Sequence, residues 1–175
     1  MSIHEGDCNK ILLENVLPKA RFEKYRRALC ILDPYGLDLD WTVTETIGKM
    51  KSVEIFLNFP VLDMNRNVLW QNPENVPQAQ IDRMNKFWGD ETWREVVYNS
   101  EPGLFGDIMV KLPIEQIAEA FQKRLREVAG FEHVPAPIAM RNKKNAIVYY
   151  LFFASHKPVA KGIVSSIFQK YSTGR

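Results

Sequence analysis

Cysteine is scarce in this chain: Cys8 and Cys30 are its only two, each beside an apolar segment. Two thiols make neither a disulfide framework nor a four-ligand zinc site, so a reducing cytoplasm is the expected compartment. The histidines His4, His133 and His156 lie scattered, with neither Cys nor carboxylate at ligand spacing, so a metal site is not expected. Glycine is sparse too. None of the nine forms a glycine-rich strand-to-helix turn of the kind that holds a nucleotide cofactor, and no Gly-x-Ser-x-Gly elbow or Walker loop occurs. No apolar run is long enough to cross a bilayer, and no charged-then-apolar leader is present, so no membrane partner is expected. Neither sign of charge dominates: 23 Lys plus Arg against 21 Asp plus Glu leave +2. That balance is too even for a chain that coats nucleic acid non-specifically, although a local basic patch stays open.

What is present is the composition of one ordinary domain, 175 residues with 46% hydrophobic and 25% charged. Residues 28–33, Ala-Leu-Cys-Ile-Leu-Asp, read as a strand buried on both faces and ending at Asp33-Pro34-Tyr35-Gly36. Asp40 can cap a helix reaching Met50, and residues 53–58 give a second strand halted by Phe59-Pro60. Strand, helix, strand is a βαβ unit with parallel neighbouring strands. Residues 60–112 read as a helical insertion, with short helices over 61–71, 77–88 and 91–98. Pro113 opens an amphipathic helix through Ile114, Ile117, Ala118, Phe121, Leu125 and Val128, which Gly130 ends. Residues 131–140, weakened by Pro135 and Pro137, and 146–154 should pair antiparallel around a polar turn. Ser155 can cap a last helix carrying Val159, Ile163, Val164, Ile167 and Phe168 on one side. The fold class expected is α/β: a mixed doubly wound sheet, parallel strands closed by an antiparallel one, with residues 146–154 beside 53–58. In such sheets ligands gather outside the carboxyl ends of the strands. Asp33, Pro34 and Tyr35 lie there, and so do Asn58, Phe59 and Pro60, in loops that should share a crevice.

The Asp33-Pro34-Tyr35 segment suits an exocyclic amine on a flat base. A carboxylate accepts one hydrogen, the carbonyl of a rigid proline segment accepts another, and an aromatic ring stacks. The plainer reading is turn chemistry, with Pro34 fixing φ and Gly36 permitting a positive one. Asp7, after a strand stub and before a helix over residues 10–17, can meet an adenine amine of a cofactor, or it can simply cap the helix, as Asn9 also can. Cys8 has no activating partner that would make it a nucleophile. Asn65, Arg66 and Trp70 follow the second strand and suit a stacking, hydrogen-bonding substrate loop, or equally a surface helix. Lys19, Arg21, Lys24, Arg26 and Arg27 form either a phosphate-facing patch or a solvated face.

Taken together, Gly6-Asp7-Cys8-Asn9, Arg26-Arg27-Ala28-Leu29-Cys30-Ile31-Leu32-Asp33-Pro34-Tyr35-Gly36, Ile55-Phe56-Leu57-Asn58-Phe59-Pro60, Met64-Asn65-Arg66-Asn67 and Tyr149-Tyr150-Leu151-Phe152-Phe153-Ala154-Ser155-His156 resemble the three-Cys-motif partner protein family (TcmP) nearly end to end. The resemblance implies a Rossmann-like, class I S-adenosylmethionine-dependent methyltransferase fold. It makes Asp33, Pro34 and Tyr35 the loop that orients a target amine of adenine or cytosine, Asp7 and Cys8 the cofactor-side positions, and Asn58 to Pro60 a substrate neighbour. It implies a three-Cys-motif protein as partner, with nucleic acid as substrate and a setting in phage or mobile-element defence. It also implies that the strand and glycine loop holding the methionine end of S-adenosylmethionine lie upstream. The chain is then the C-terminal part of a single domain, inactive alone. The competing expectation is a non-catalytic scaffold that keeps the fold for its partner. Substrate identity and oligomeric state stay open.

Overall fold

A computed structural model of the protein describes residues 2–103 and 106–172. It is an α/β structure built on a four-stranded mixed sheet with strand order β1-β2-β6-β5, and a separate two-stranded ribbon, β3-β4. A short helix α1 (Cys8–Ile11) runs on through a wide turn at Leu12–Val16 and a tight one at Leu17–Lys19. Residues 2–7 form no strand, so the expected stub before Asp7 is not there. The chain then gives β1 (Ala28–Leu32), α2 (Trp41–Met50), β2 (Val53–Phe59), α3 (Val61–Asn67), α4 (Gln78–Trp88) and α5 (Trp93–Val97). After the ribbon β3 (Tyr98–Gly103) and β4 (Gly106–Lys111) come α6 (Ile114–Glu127), β5 (Ile138–Arg141), β6 (Ile147–Ala154) and α7 (Pro158–Ser172).

β1 and β2 are parallel, with Leu32 opposite Leu57. β6 runs antiparallel beside β2, with Phe56 opposite Phe153, and β5 pairs antiparallel with β6. Alternation along β2 sorts its side chains to two faces. Ile55, Leu57 and Phe59 join the main core with Phe152 and the inward faces of α2, α4 and α6. Phe56 turns the other way, packing on Phe153 at 4.9 Å between ring centroids and on Phe168 of α7 at 6.3 Å. Gly48 of α2 lies so close to the neighbouring chain that an added Cβ would sit 2.0 Å from the Ala129 carbonyl oxygen, so only glycine fits there.

Several expected elements are revised. Residues 60–112 are not wholly helical: α3 stops at Asn67, and 98–103 and 106–111 form the β3-β4 ribbon, pairing Tyr98 with Lys111. The Tyr98 hydroxyl donates to the Trp70 carbonyl at 2.8 Å and the Leu112 amide to the Val97 carbonyl at 2.7 Å, which tie the ribbon to the preceding helices. The strand expected over 131–140 shrinks to β5 and a lone bridge between His133 and Ser155, because the prolines remove ladder donors. On α7, Val164 and Phe168 are buried while Val159 and Ile167 face solvent; the Ile163 side chain lies outside the described set. Ser155 Oγ accepts from the Lys157 amide at 2.9 Å, just before α7 begins. Asp40 precedes α2 but its side chain makes no capping bond. Among the described residues no helix is long and apolar enough to cross a membrane.

β1 is an edge strand of the sheet, not a strand buried on both faces as its sequence reads. Leu29 and Ile31 share the sheet face of Phe56 and are 51% and 73% exposed.

Candidate functional site

Parallel pairing carries Asp33, the residue after β1, to the side of Asn58, near the end of β2. Their side chains meet: the Asn58 carboxamide donates to Asp33 Oδ1 at 2.7 Å. The two segments expected to lie side by side are therefore joined by a direct hydrogen bond. The carboxylate of Asp33 remains exposed, and Tyr35, two residues on, is 91% exposed.

An exposed tyrosine in a loose loop would carry little meaning, but this loop is anchored on both sides. Gly36 has φ +57, and its α-carbon abuts the Asp63 carboxylate so closely that an added Cβ would lie 2.6 Å from Asp63 Oδ2. Leu37 and Leu39 are buried in the core. Between them and α2 the Asn9 side chain acts as a clamp, donating to the Asp38 carbonyl at 2.9 Å and accepting from the Asp40 amide at 2.9 Å. Arg83 of α4 pairs with Asp38 at 3.0 Å and reaches Asp63 Oδ2 at 3.6 Å. Asp63 Oδ1 accepts from the Asn67 amide group at 2.7 Å. The loop backbone is thus fixed, while Asp33 and Tyr35 stay open to solvent.

The remaining candidates separate. Phe59 is fully buried among Phe87, Phe121 and Phe152, with centroids 4.7 to 5.8 Å away, and Pro60 is buried with it. Alternation along β2 sends Phe59 to the core face, so these two residues support Asn58 from behind and offer no contact surface. Asn65 accepts from Lys111 Nζ at 2.7 Å, and Lys111 also donates to the Leu69 carbonyl at 2.6 Å. Burial pushes the Lys111 ammonium below its usual range. The Trp70 indole N–H donates to the Arg66 carbonyl at 2.8 Å, and the ring packs on the core. Asn65 and Trp70 are therefore committed to holding α3 and the ribbon, while the Arg66 side chain is exposed. Asp7 Oδ1 accepts from the Asn9 amide at 2.9 Å, the capping role weighed for it, and Cys8 is exposed in the first turn of α1.

Sequence reading passed over the loop's own Asp38 and its partner Arg83 on α4, and placed Asp63 of α3 in a substrate-facing stretch and not as a support of this loop. No local signal marks Asp63, since its partner Gly36 lies in another element. Among the described residues no three His, Cys, Asp or Glu side chains cluster to hold a metal. No family model, curated protein or solved structure matches the chain.

Proposed function

We propose that this chain is a methyltransferase-like protein of the three-Cys-motif partner kind that reads the substrate in methylation of an amino group of nucleic acid. The observation that carries the reading is the Asn58 to Asp33 hydrogen bond at the carboxyl ends of two parallel strands, with Tyr35 held open beside it. Asn58 fixes one carboxylate oxygen of Asp33, leaving the other to accept a hydrogen from an exocyclic amine. Tyr35 supplies a ring for stacking, and the Pro34 carbonyl a second acceptor. Positioning of the amine lone pair is what such a site contributes, with no strong base required. A Rossmann-like arrangement is part of the proposal, and the strand order β1-β2-β6-β5 with a reversed β6 supports it.

S-adenosylmethionine is the methyl donor that the resemblance implies, and the described residues do not by themselves fit it. The Asp7 carboxylate is engaged as a helix cap, and the residues before it form no strand to set it beside an adenine. S-adenosylmethionine binding is therefore not assigned to the described residues.

The same engagement of Asp7 favours a second reading, a non-catalytic subunit that works with a three-Cys-motif protein in phage or mobile-element defence. Calorimetry separates the two steps. The chain alone should give no tight binding of S-adenosylmethionine, and micromolar affinity would overturn the account of Asp7. Binding of a single-stranded oligonucleotide that falls about tenfold on Tyr35→Ala, the loss of one stacked base, supports the substrate-reading role. An unchanged affinity leaves the scaffold reading standing instead.

A further inference from the structure

At the opposite ends of β1 and β2 from Asp33 and Asn58 lies a cavity of about 260 Å³ whose lining includes Arg27, Lys51, Glu54, His156 and Lys157. Three of these side chains are cations and one is a carboxylate. Glu54 accepts from Ser155 Oγ at 2.9 Å, so part of its charge is already engaged. Arg27 is held in place by its own contacts: the guanidinium lies 4.0 Å over the Phe22 ring and donates to the Arg26 carbonyl at 2.9 Å. Lys51 and Lys157 are exposed, with no ion-pair partner among the described residues.

His156 forms part of the wall. Its side chain is 7% exposed and stacks on Phe131 at 5.3 Å. Neither ring nitrogen has a hydrogen-bond partner, although Glu132 Oε1 stands 3.7 Å from Nδ1. Both nitrogens are buried away from the open space of the cavity, so the ring contributes wall and no hydrogen-bonding group. The adjoining helix α7, whose first residue follows Lys157, turns its positive end toward the same region.

We infer that this cavity is a phosphate site, in which Arg27, Lys51 and Lys157 neutralise a phosphate group. Its volume lies just under the roughly 300 to 1,000 Å³ of sites that enclose a whole small molecule. It takes the phosphate and leaves the rest of the ligand outside, along the open edge of β1. A free phosphate monoester and a nucleic-acid phosphodiester share this chemistry. The site stands apart from the reading of Asp33: β1 spans about 17 Å between them, and either can fail without the other.

Calorimetric titration with inorganic phosphate, and separately with a short single-stranded oligonucleotide, at constant ionic strength, tests the assignment. The wild-type chain should give saturable binding, Lys51→Glu with Lys157→Glu should weaken it by about tenfold or more, and Lys86→Glu, an exposed lysine on α4, should leave it unchanged. Arg27→Gln should also weaken it while the melting curve stays cooperative. Tighter binding of the oligonucleotide identifies the phosphodiester as the source, and tighter binding of phosphate the monoester. Absence of saturable binding to both probes, or an equal loss in Lys86→Glu, would overturn the proposal.

Discussion

The Asn58 carboxamide donates to the Asp33 carboxylate at 2.7 Å, bridging the ends of two parallel strands. This bond also fixes which way the Asn58 amide points, since reversing it would set oxygen against oxygen. The consequence is that Asn58 Oδ1 faces inward, buried and without a partner. A buried acceptor left unpaired costs about 1 to 3 kcal/mol. The fold carries that cost to hold Asp33, a local departure from optimal packing of the kind that marks functional positions.

Asn58→Leu should separate stability from recognition. Replacing the unsatisfied amide with an apolar group of similar shape should leave the melting temperature unchanged or raise it. Freed of its donor, Asp33 should lose its fixed orientation, and affinity for an amine-bearing base should drop roughly tenfold. Differential scanning calorimetry and an oligonucleotide titration on one preparation check both halves.

Gly36→Ala should loosen the loop. The left-handed backbone at φ +57 costs a non-glycine residue about 1 to 2 kcal/mol, and the new methyl would meet Asp63 Oδ2. Adding Asp63→Ala relieves the contact but not the backbone strain, so it should restore only part of the lost stability. Denaturant midpoints of the wild type and the two variants give the comparison.

Asp90 ties the end of α4 to α6 through Arg124, whose Nη2 lies 2.6 Å from its carboxylate. Burial tends to raise the acid's pKa, yet hydrogen bonds from the Thr92 hydroxyl and amide, together with Arg124, hold it below the usual range. A depressed carboxylate stabilises the fold above its unfolded value, near about 3.9, and the contribution is lost as pH falls through the folded value. With allowance for solvent screening of a partly exposed pair, Asp90→Asn should cost up to about 1 kcal/mol at pH 7. The gap from wild type should close as pH drops below about 4, as read by urea melts across pH.

The open edge of β1 is the surface where self-association is expected. Leu29 and Ile31 stand exposed beside unpaired backbone groups, the arrangement that recruits another strand. Ile31→Lys should raise the concentration at which light scattering appears, while shifting stability by no more than about 0.5 kcal/mol.

The sheet was legible where burial imposes a pattern. β2 and β6 read as strands because core packing selects β-branched and aromatic residues, and α6 because its apolar stripe repeats at the helical period. The Asp33 and Asn58 loops were legible as neighbours because parallel strands end together. The β3-β4 ribbon was not, since Asn99, Ser100, Glu101 and Pro102 carry little strand preference, and its register comes from pairing. Phe59 looked like a loop residue next to Pro60, but one more residue of β2 turns it into the core. The supports from Asn9, Asp63 and Arg83 come from three separate elements, and no local pattern records such contacts.

The central claim, that Asp33 and Tyr35 read an amine on a flat base, is tested most directly by base analogues at fixed salt. Fluorescence anisotropy should compare short single-stranded oligonucleotides bearing one adenine, or one cytosine, with the same strands carrying the base without its exocyclic amine. The account predicts roughly tenfold tighter binding of the amine-bearing base in at least one pair, a preference that Asp33→Ala removes. Equal affinities within both pairs for the wild-type chain would contradict it.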